Sequence, residues 1–281
     1  MNFISIISIN RNNKIGLQRT IDSVICQSKS DYELIIIDGG SKDGSLELIH
    51  QYSKNFTYWN SEPDNGIYHA MNKGILKATG EYLLFLNSGD WFVDEHVLEN
   101  VFHDKQTADI ISGDIYFYDS QKKEIKWRVN SPDKITAKTL FYGNIPHQAT
   151  FIRRELFNKF GLYNEELKIA SDWLFFQAAF IEHGATYHHV PLVVSFFNMD
   201  GISFRPETNG LPRKEQMEIL KKKYPLFIDD YLQLEKLEKS TQEWFQSKEY
   251  QVFICLKKLR IISFCVLIYR ILRFAIRKLK K

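Results

Sequence analysis

Tyr32-Glu-Leu-Ile-Ile-Ile-Asp-Gly-Gly-Ser-Lys-Asp-Gly-Ser45 is the stretch that settles the fold class. The apolar run 34–37 reads as a buried strand. It ends on an acid, Asp38; two glycines turn the chain, a second acid follows at Asp43, and a helix is expected from about Ser45. In an open parallel sheet, ligands bind in the crevice beyond the carboxyl ends of the strands. Asp38 and Asp43 are therefore expected at the mouth of a ligand site, where a carboxylate accepts hydrogen bonds from a base or from ribose hydroxyls. The same letters also make a plain turn, because Gly and Asp supply the backbone conformations a turn needs.

The flanking sequence supports the first reading. Residues 3–9 form an apolar strand, and Ile15, Leu17, Ile21, Val24 and Ile25 recur at helical spacing. Further strands are expected at 34–37, 56–59 and 82–86, with a helix over 67–78. Strand and helix in alternation predict a doubly wound α/β sheet. The first turn reads Ser8-Ile-Asn-Arg-Asn-Asn-Lys14 and carries no Gly-x-Gly-x-x-Gly, which argues against a nicotinamide enzyme on the same sheet.

Length allows one domain of about 200 residues with an appendage. Cys26, Cys255 and Cys265 are odd in number and lack metal-ligand spacing, so no disulfide framework is expected and a reducing compartment fits. Residues 3–9 have no preceding basic region and read as a strand, not a signal peptide. The overall charge of +3 conceals an asymmetry. Nine of the 37 Lys/Arg lie within 250–281, where there is no acid, and all 34 Asp/Glu fall within 1–249. The acidic body offers no basic face for nucleic acid.

By Asp90 a family resemblance is legible. Ser5-Ile-Ile-Ser-Ile-Asn-Arg-Asn12, Ile36-Ile-Asp-Gly-Gly-Ser-Lys-Asp-Gly44 and Ser61-Glu-Pro-Asp-Asn-Gly-Ile-Tyr-His-Ala-Met-Asn-Lys-Gly74 carry it. Gly80-Glu-Tyr-Leu-Leu-Phe-Leu-Asn-Ser-Gly-Asp90, Pro146-His-Gln-Ala149 and Ile169-Ala-Ser-Asp-Trp-Leu-Phe-Phe176 continue it. In this order and spacing the chain resembles family-2 glycosyltransferases of the GT-A fold, in the branch that builds bacterial surface polysaccharides. The resemblance runs from about residue 3 to 205. It implies a GT-A-type, doubly wound and mostly parallel sheet over 1–210, with a nucleotide-sugar half (1–95) and an acceptor half (96–210). Residues 211–281 are expected as a helical extension.

The resemblance further implies an inverting transfer from a nucleotide-sugar, with UDP favoured over GDP by family frequency, to a hydroxyl of a glycan or lipid-linked glycan. Donor contacts fall on Asn10, Asp38, Asp43, Asp64, Lys73, Asn87, Ser88, Asp90 and His147. The family's aspartate cluster, which holds Mn²⁺ or Mg²⁺, here reads Asn87-Ser88-Gly89-Asp90, so Asp90 alone is left as the metal ligand. Hard cations often use only one or two protein carboxylates. Asp172 falls where the family carries its catalytic base, close to the acceptor hydroxyl whose proton it takes. Ser171 or Asp172 could also cap the helix that starts there. Lys73 has the alternative of a solvated helix face, and His147 that of a structural histidine. His69 stands where relatives carry an acid and is given no role. His188 and His189, adjacent on a strand, point to opposite faces and make a poor metal pair.

Residues 213–249 read as charged helix. Beyond them the longest uncharged run, 261–269, falls well short of the roughly 20 residues that span a bilayer. Arg270, Arg273 and Arg277 recur on one helical face with apolar residues over much of the rest, the pattern of a helix lying in a membrane interface. Residues 250–281 are accordingly expected to hold the protein at the inner face of the cytoplasmic membrane. A helix packed in an oligomer, or a tilted segment, would share this pattern. A rival of another class is a non-catalytic nucleotide-sugar-binding module recruited to the membrane by the tail.

Overall fold

The computed structural model describes residues 3–104, 107–143, 145–201, 204, 206–258 and 269–270. The expected alternation opens the chain: β1 (Ile4–Asn10), α1 (Lys14–Ile25), β2 (Tyr32–Asp38), α2 (Ser45–Tyr52), β3 (Tyr58–Ser61), α3 (Ile67–Lys77) and β4 (Tyr82–Phe85). All three pairings among these strands are parallel, in the order β3-β2-β1-β4. Period-two alternation sorts their apolar residues between two cores. Ile4, Ile6, Leu34, Ile36 and Leu84 pack with Leu17, Ile21 and Val24 of α1 and Leu48 and Ile49 of α2. Ile7, Ile35, Ile37, Leu83 and Phe85 pack on the other face with Tyr68, Met71 and Ile75 of α3. Each fully buried Leu or Ile contributes about 1.5–3 kcal/mol, so the sheet is held from both sides.

The second half adds β5 (Trp91–Phe92), α4 (Val97–Val101), β6 (Ile110–Asp119), β7 (Glu124–Val129), α5 (Ala137–Tyr142), β8 (Thr150–Arg153), α6 (Arg154–Phe160), α7 (Ser171–Gln177) and β9 (Tyr187–Asn198). The strand order continues β4-β8-β6-β9-β5, with β7 beside β6. Antiparallel pairing enters only here, through β5, β7 and β8. Because β8 lies antiparallel to both β4 and β6, β6 runs in the sense of β4, and β9 is parallel to β6. The carboxyl ends of β1, β4, β6 and β9 therefore open on one edge of the sheet.

The chain divides into two compact units, Met1–Leu220 and the segment from Lys221 onward. The first unit runs past the expected division at residue 210 because α8 (Leu211–Lys223) is bonded into it. Glu215 accepts the backbone N–H groups of Lys168, Ile169 and Ala170 at 2.9, 3.1 and 3.0 Å, and Arg213 donates to the Phe141 carbonyl at 3.1 Å. In the second unit α9 (Pro225–Gln246) and α10 (Lys248–Lys258) follow. Among the described residues no helix is long and apolar enough to cross a membrane. Most of the basic tail, including Arg273 and Arg277, lies outside the described residues.

Candidate active site

A cleft of about 970 Å³ opens along the edge where the strand ends meet. Asn10, Asp64, Asn87, Ser88, Asp90, His147 and Asp172 line it together, although they come from five separate stretches of chain. Asp38, Asp43 and Lys73 are not among its lining residues.

Asp90 closes the tight turn after β4, and α1 holds that turn in place. The buried Thr20 hydroxyl bonds the Asp90 carbonyl at 2.6 Å and accepts the Gly89 N–H at 3.0 Å. Gly89 has φ 105°, which a side chain would strain. Asn13 serves two ends: its side-chain oxygen caps α1 at the Gly16 N–H, and its amide donates to the Ser88 carbonyl at 2.9 Å. The Asp90 carboxylate accepts the Asn198 N–H at 3.0 Å from the end of β9. Burial pushes its carboxyl up to about 7, against the lowering influence of that N–H and of His147.

Across the cleft, Asp172 sits in the first turn of α7, 3% exposed. One carboxylate oxygen accepts from His147 Nδ1 at 3.0 Å, and the other lies 3.0 Å from the Tyr68 hydroxyl. An ionised carboxylate only accepts, so the imidazole carries its proton on Nδ1. His147 Nε2 then stands 3.4 Å from the Asn87 amide. Burial alone would push the Asp172 carboxyl up. The hydrogen bond and charge of His147, the Trp173 N–H and the Tyr68 hydroxyl outweigh it and hold the group below the ordinary aspartate range. His147 thus links the Asp172 side of the cleft to the turn that carries Asp90.

The three residues outside the cleft have their positions explained by the chain itself. Asp38 is fully buried, and its oxygens accept from Asn10 at 2.7 Å, from the Ser41 N–H and hydroxyl at 2.9 and 2.5 Å, and from the Ser61 hydroxyl at 2.6 Å. The strand-end acid ties the ends of β1, β2 and β3 together. Asp43 accepts from the Lys14 N–H and from the N–H and hydroxyl of Ser45, joining the starts of α1 and α2. Lys73 pairs with Glu62 at 2.8 Å and points along the loop rather than into the cleft. Ser171 does not cap α7: its hydroxyl is buried with no partner among the described residues, and Glu215 takes the N–H groups leading into the helix instead. His188 is exposed, whereas His189 bonds Asp114 at 2.9 Å and Asp133 at 2.8 Å.

Asp64 is the acid that lines the cleft beside the end of β2. It accepts the Gly66 N–H at 3.1 Å and lies 3.7 Å from Arg11. A Cβ on Gly39 would meet its second oxygen at 2.2 Å, so only glycine lets it lie against the end of β2. Arg11, Tyr68 and Glu215 were not singled out from sequence. Arg11 follows β1 directly and so carried a positional signal. Tyr68 and Glu215 meet Asp172 and its neighbours only through the tertiary fold.

The chain is similar to known proteins over this same region. The model of the family described as "Glycosyl transferase family 2" matches residues 5–184. The chain belongs to glycosyl transferase family 2. A "PGL/p-HBAD biosynthesis glycosyltransferase" of Mycobacterium bovis (strain BCG / Pasteur 1173P2) is 31% identical over 192 residues, 66% of this chain and 72% of the relative. Among solved structures, S. aureus TarS 1-349 in complex with UDP-GlcNAc superposes with a TM-score of 0.57 at 18% identity, covering 70% of this chain and 58% of that one. The mannosyltransferase PcManGT from Pyrobaculum calidifontis, in complex with GDP-Man and Mn²⁺, gives 0.56 at 14% identity over 92% and 84% of the two chains. The architecture of this glycosyltransferase is the GT-A fold with C-terminal helices.

Proposed function

We propose that this glycosyltransferase moves a sugar, with inversion, from a nucleotide-sugar to a hydroxyl of a glycan or lipid-linked glycan in surface polysaccharide biosynthesis. The reading rests on one observation above the others: Asp90 at the end of β4 and the Asp172–His147 pair face the same cleft. Asn10, Asp64, Asn87, Ser88 and His147 then form the donor side. A UDP-sugar is favoured over a GDP-sugar by family frequency; at the level of fold, the UDP-GlcNAc complex of TarS and the GDP-Man complex of PcManGT support a nucleotide-sugar of either base.

In this reading Asp172 is the base. Its depressed carboxyl stays ionised at neutral pH. It accepts the proton of the acceptor hydroxyl while that oxygen attacks the anomeric carbon, and the bond from that carbon to the donor phosphate breaks on the opposite face. Tyr68 and His147 hold the carboxylate in place as its charge is lost.

Asp64, Asp90, Asp172 and Asp200 line the cleft, while Arg11 is the one Lys or Arg among its described lining residues. A diphosphate entering so acidic a cleft calls for a cation. Among the described residues no group of three or more His, Cys, Asp or Glu could hold a metal. A single carboxylate, Asp90, would suit a hard ion, Mn²⁺ or Mg²⁺, with donor oxygens and water as its other ligands. When bound, such an ion neutralises the leaving diphosphate. The Mn²⁺ complex of PcManGT supports this at the level of fold. Residues 250–281 hold the enzyme on the inner face of the cytoplasmic membrane in this reading.

The test is a panel of UDP- and GDP-sugars scored for binding and for hydrolysis or transfer, with Mn²⁺ and with chelator. Turnover of at least one donor, lost on chelation, is expected. Binding without turnover of any donor or acceptor mixture would favour the binding-module alternative.

A further inference from the structure

The half of the cleft away from β1–β3 carries, beside the polar His147, Gln148, Asn198 and Asp200, a cluster of side chains without hydrogen-bonding atoms, and that apolar surface continues past the cleft mouth. β9, β6 and β7 lie side by side. Their register places Phe197, Phe117 and Trp127 in one cross-strand row, with Ile115 and Val129 paired just behind it. Phe117 stacks on Trp127 (centroids 5.1 Å apart, planes 20° apart) and meets Phe197 edge-on at 5.1 Å. Phe204 leans against both phenylalanines at 5.5 and 5.7 Å. Ile115, Phe117, Val129, Phe197 and Phe204 line the cleft. Trp127 and Phe204 are 47% and 43% exposed, so the row passes from the cleft wall to open surface. Single exposed apolar residues are ordinary; a contiguous run joined to a cleft marks a binding surface.

Its position relative to the reacting groups is set by hydrogen bonds. Asn198, the neighbour of Phe197, donates its N–H to Asp90, and Ser195 on the same strand donates to the carbonyl of Gln148, beside His147. The wall therefore begins where the sugar would change hands and leads away from the strand ends that face the nucleotide.

We propose that this wall binds the apolar part of the acceptor, a hydrocarbon or aromatic aglycone attached close to the hydroxyl that receives the sugar. A glycan segment laid there would shed water from its hydroxyls and find no partner in these five side chains, at a cost for each buried group. A hydrocarbon loses nothing and gains for every methylene covered. The acceptor is thus an amphiphile with its hydroxyl at Asp172 and its apolar segment running over Phe197, Phe117 and Phe204 toward Trp127. The identity of that hydroxyl rests on the glycosyltransferase reading; the affinity of the wall for an apolar chain does not.

The experiment titrates the full chain, in the presence of UDP, with n-alkyl β-glucosides from methyl to octyl below their micelle concentrations. Affinity is expected to climb along the series, by up to about fourfold for each methylene that is covered. The double variant Trp127→Ala, Phe204→Ala should flatten the series and leave UDP affinity unchanged. Equal binding of methyl and octyl glucosides overturns the proposal. A series that persists in the double variant also overturns it, because the chain would then sit elsewhere, as on the tail. So does a dimer of the wild type that the double variant dissociates, since a second copy would be what covers the face. Failure of UDP to bind counts against the UDP-sugar choice, failure of both UDP and GDP counts against the glycosyltransferase reading, and the alkyl series without nucleotide still decides the wall.

Discussion

Asp90 and Asp172 are both buried carboxylates at the same cleft, yet their surroundings push them in opposite directions. Asp172 has donors on both oxygens and stays ionised; Asp90 has one backbone N–H, and its carboxyl rises to about 7. Asp172→Asn should abolish transfer while donor affinity, measured by calorimetry, stays within about twofold; retained turnover removes Asp172 as the base. His147→Gln takes away the charge and hydrogen bond that depress Asp172. The acid limb of the rate profile should then move to higher pH, and a limb that stays in place would separate His147 from the base. For Asp90 the sign runs the other way. The folded chain holds this proton above the ordinary aspartate range, so burial of Asp90 costs no ionisation in acid and destabilises increasingly as pH rises toward 7. Asp90→Asn should therefore stabilise the ligand-free protein at pH 8, by up to about 4 kcal/mol, and flatten its urea stability between pH 4 and 7. The same change should weaken donor binding and remove stimulation by Mn²⁺. A variant no more stable than wild type at pH 8 would mean that Asp90 is already ionised and compensated.

At the scale of elements, the site depends on helices that meet it from outside. α1 pins the Asn87–Asp90 turn through Thr20 and Asn13, and α3 brings Tyr68 to Asp172. Helix α7 has no side-chain cap of its own at Ala170. Glu215 of α8 substitutes by accepting three consecutive backbone N–H groups just before it. Glu215→Ala should cost about 1–3 kcal/mol of stability, because those donors lose a charged acceptor. It should also lower the transfer rate by loosening the start of α7, with donor affinity little changed. Thermal melts and steady-state rates check both; an unaltered melting temperature would leave α8 without this role. The cap eluded sequence reading because it joins residues 45 or more positions apart, whereas Ser171, the local candidate, was adjacent and of the right type.

For the molecule as a whole, strand order decides what each region can touch. The ends of β1, β3 and β4 lead into Asn10, Asp64 and Asp90 on one side of the cleft, and β6, β7 and β9 supply the apolar wall beside it. Residues 250–281 carry nine Lys/Arg and no acid. Deleting them should give a folded protein that no longer sediments with anionic vesicles. Binding of the full chain should weaken as salt rises, since exposed charges are screened within about 10 Å at 0.1 M. Full-length protein that resists both high salt and alkaline carbonate would instead have an inserted tail.

The first ninety residues declared their fold through local signals: apolar runs of strand length, helical spacing between them, and Gly-Asp turns at the strand ends. Such patterns are legible because each element buries one or two defined faces, and the period of that burial is written along the chain. The clustering of Asp90, His147 and Asp172 was approachable only through family resemblance, since no local rule joins residues from three elements. Two further outcomes depended on the fold itself. Asp38 and Asp43 carry the residue type and position of ligand-binding acids, and the fold adds what the sequence did not show, that nearby hydroxyls and N–H groups bond them and so tie strands and helices together. Phe117, Trp127 and Phe197 carry no local signal that joins them; cross-strand register is what sets them in a row leading out of the cleft. Burial and hydrogen-bond partners are properties of the packed chain, and a side chain's final environment is decided by neighbours that lie far away in sequence.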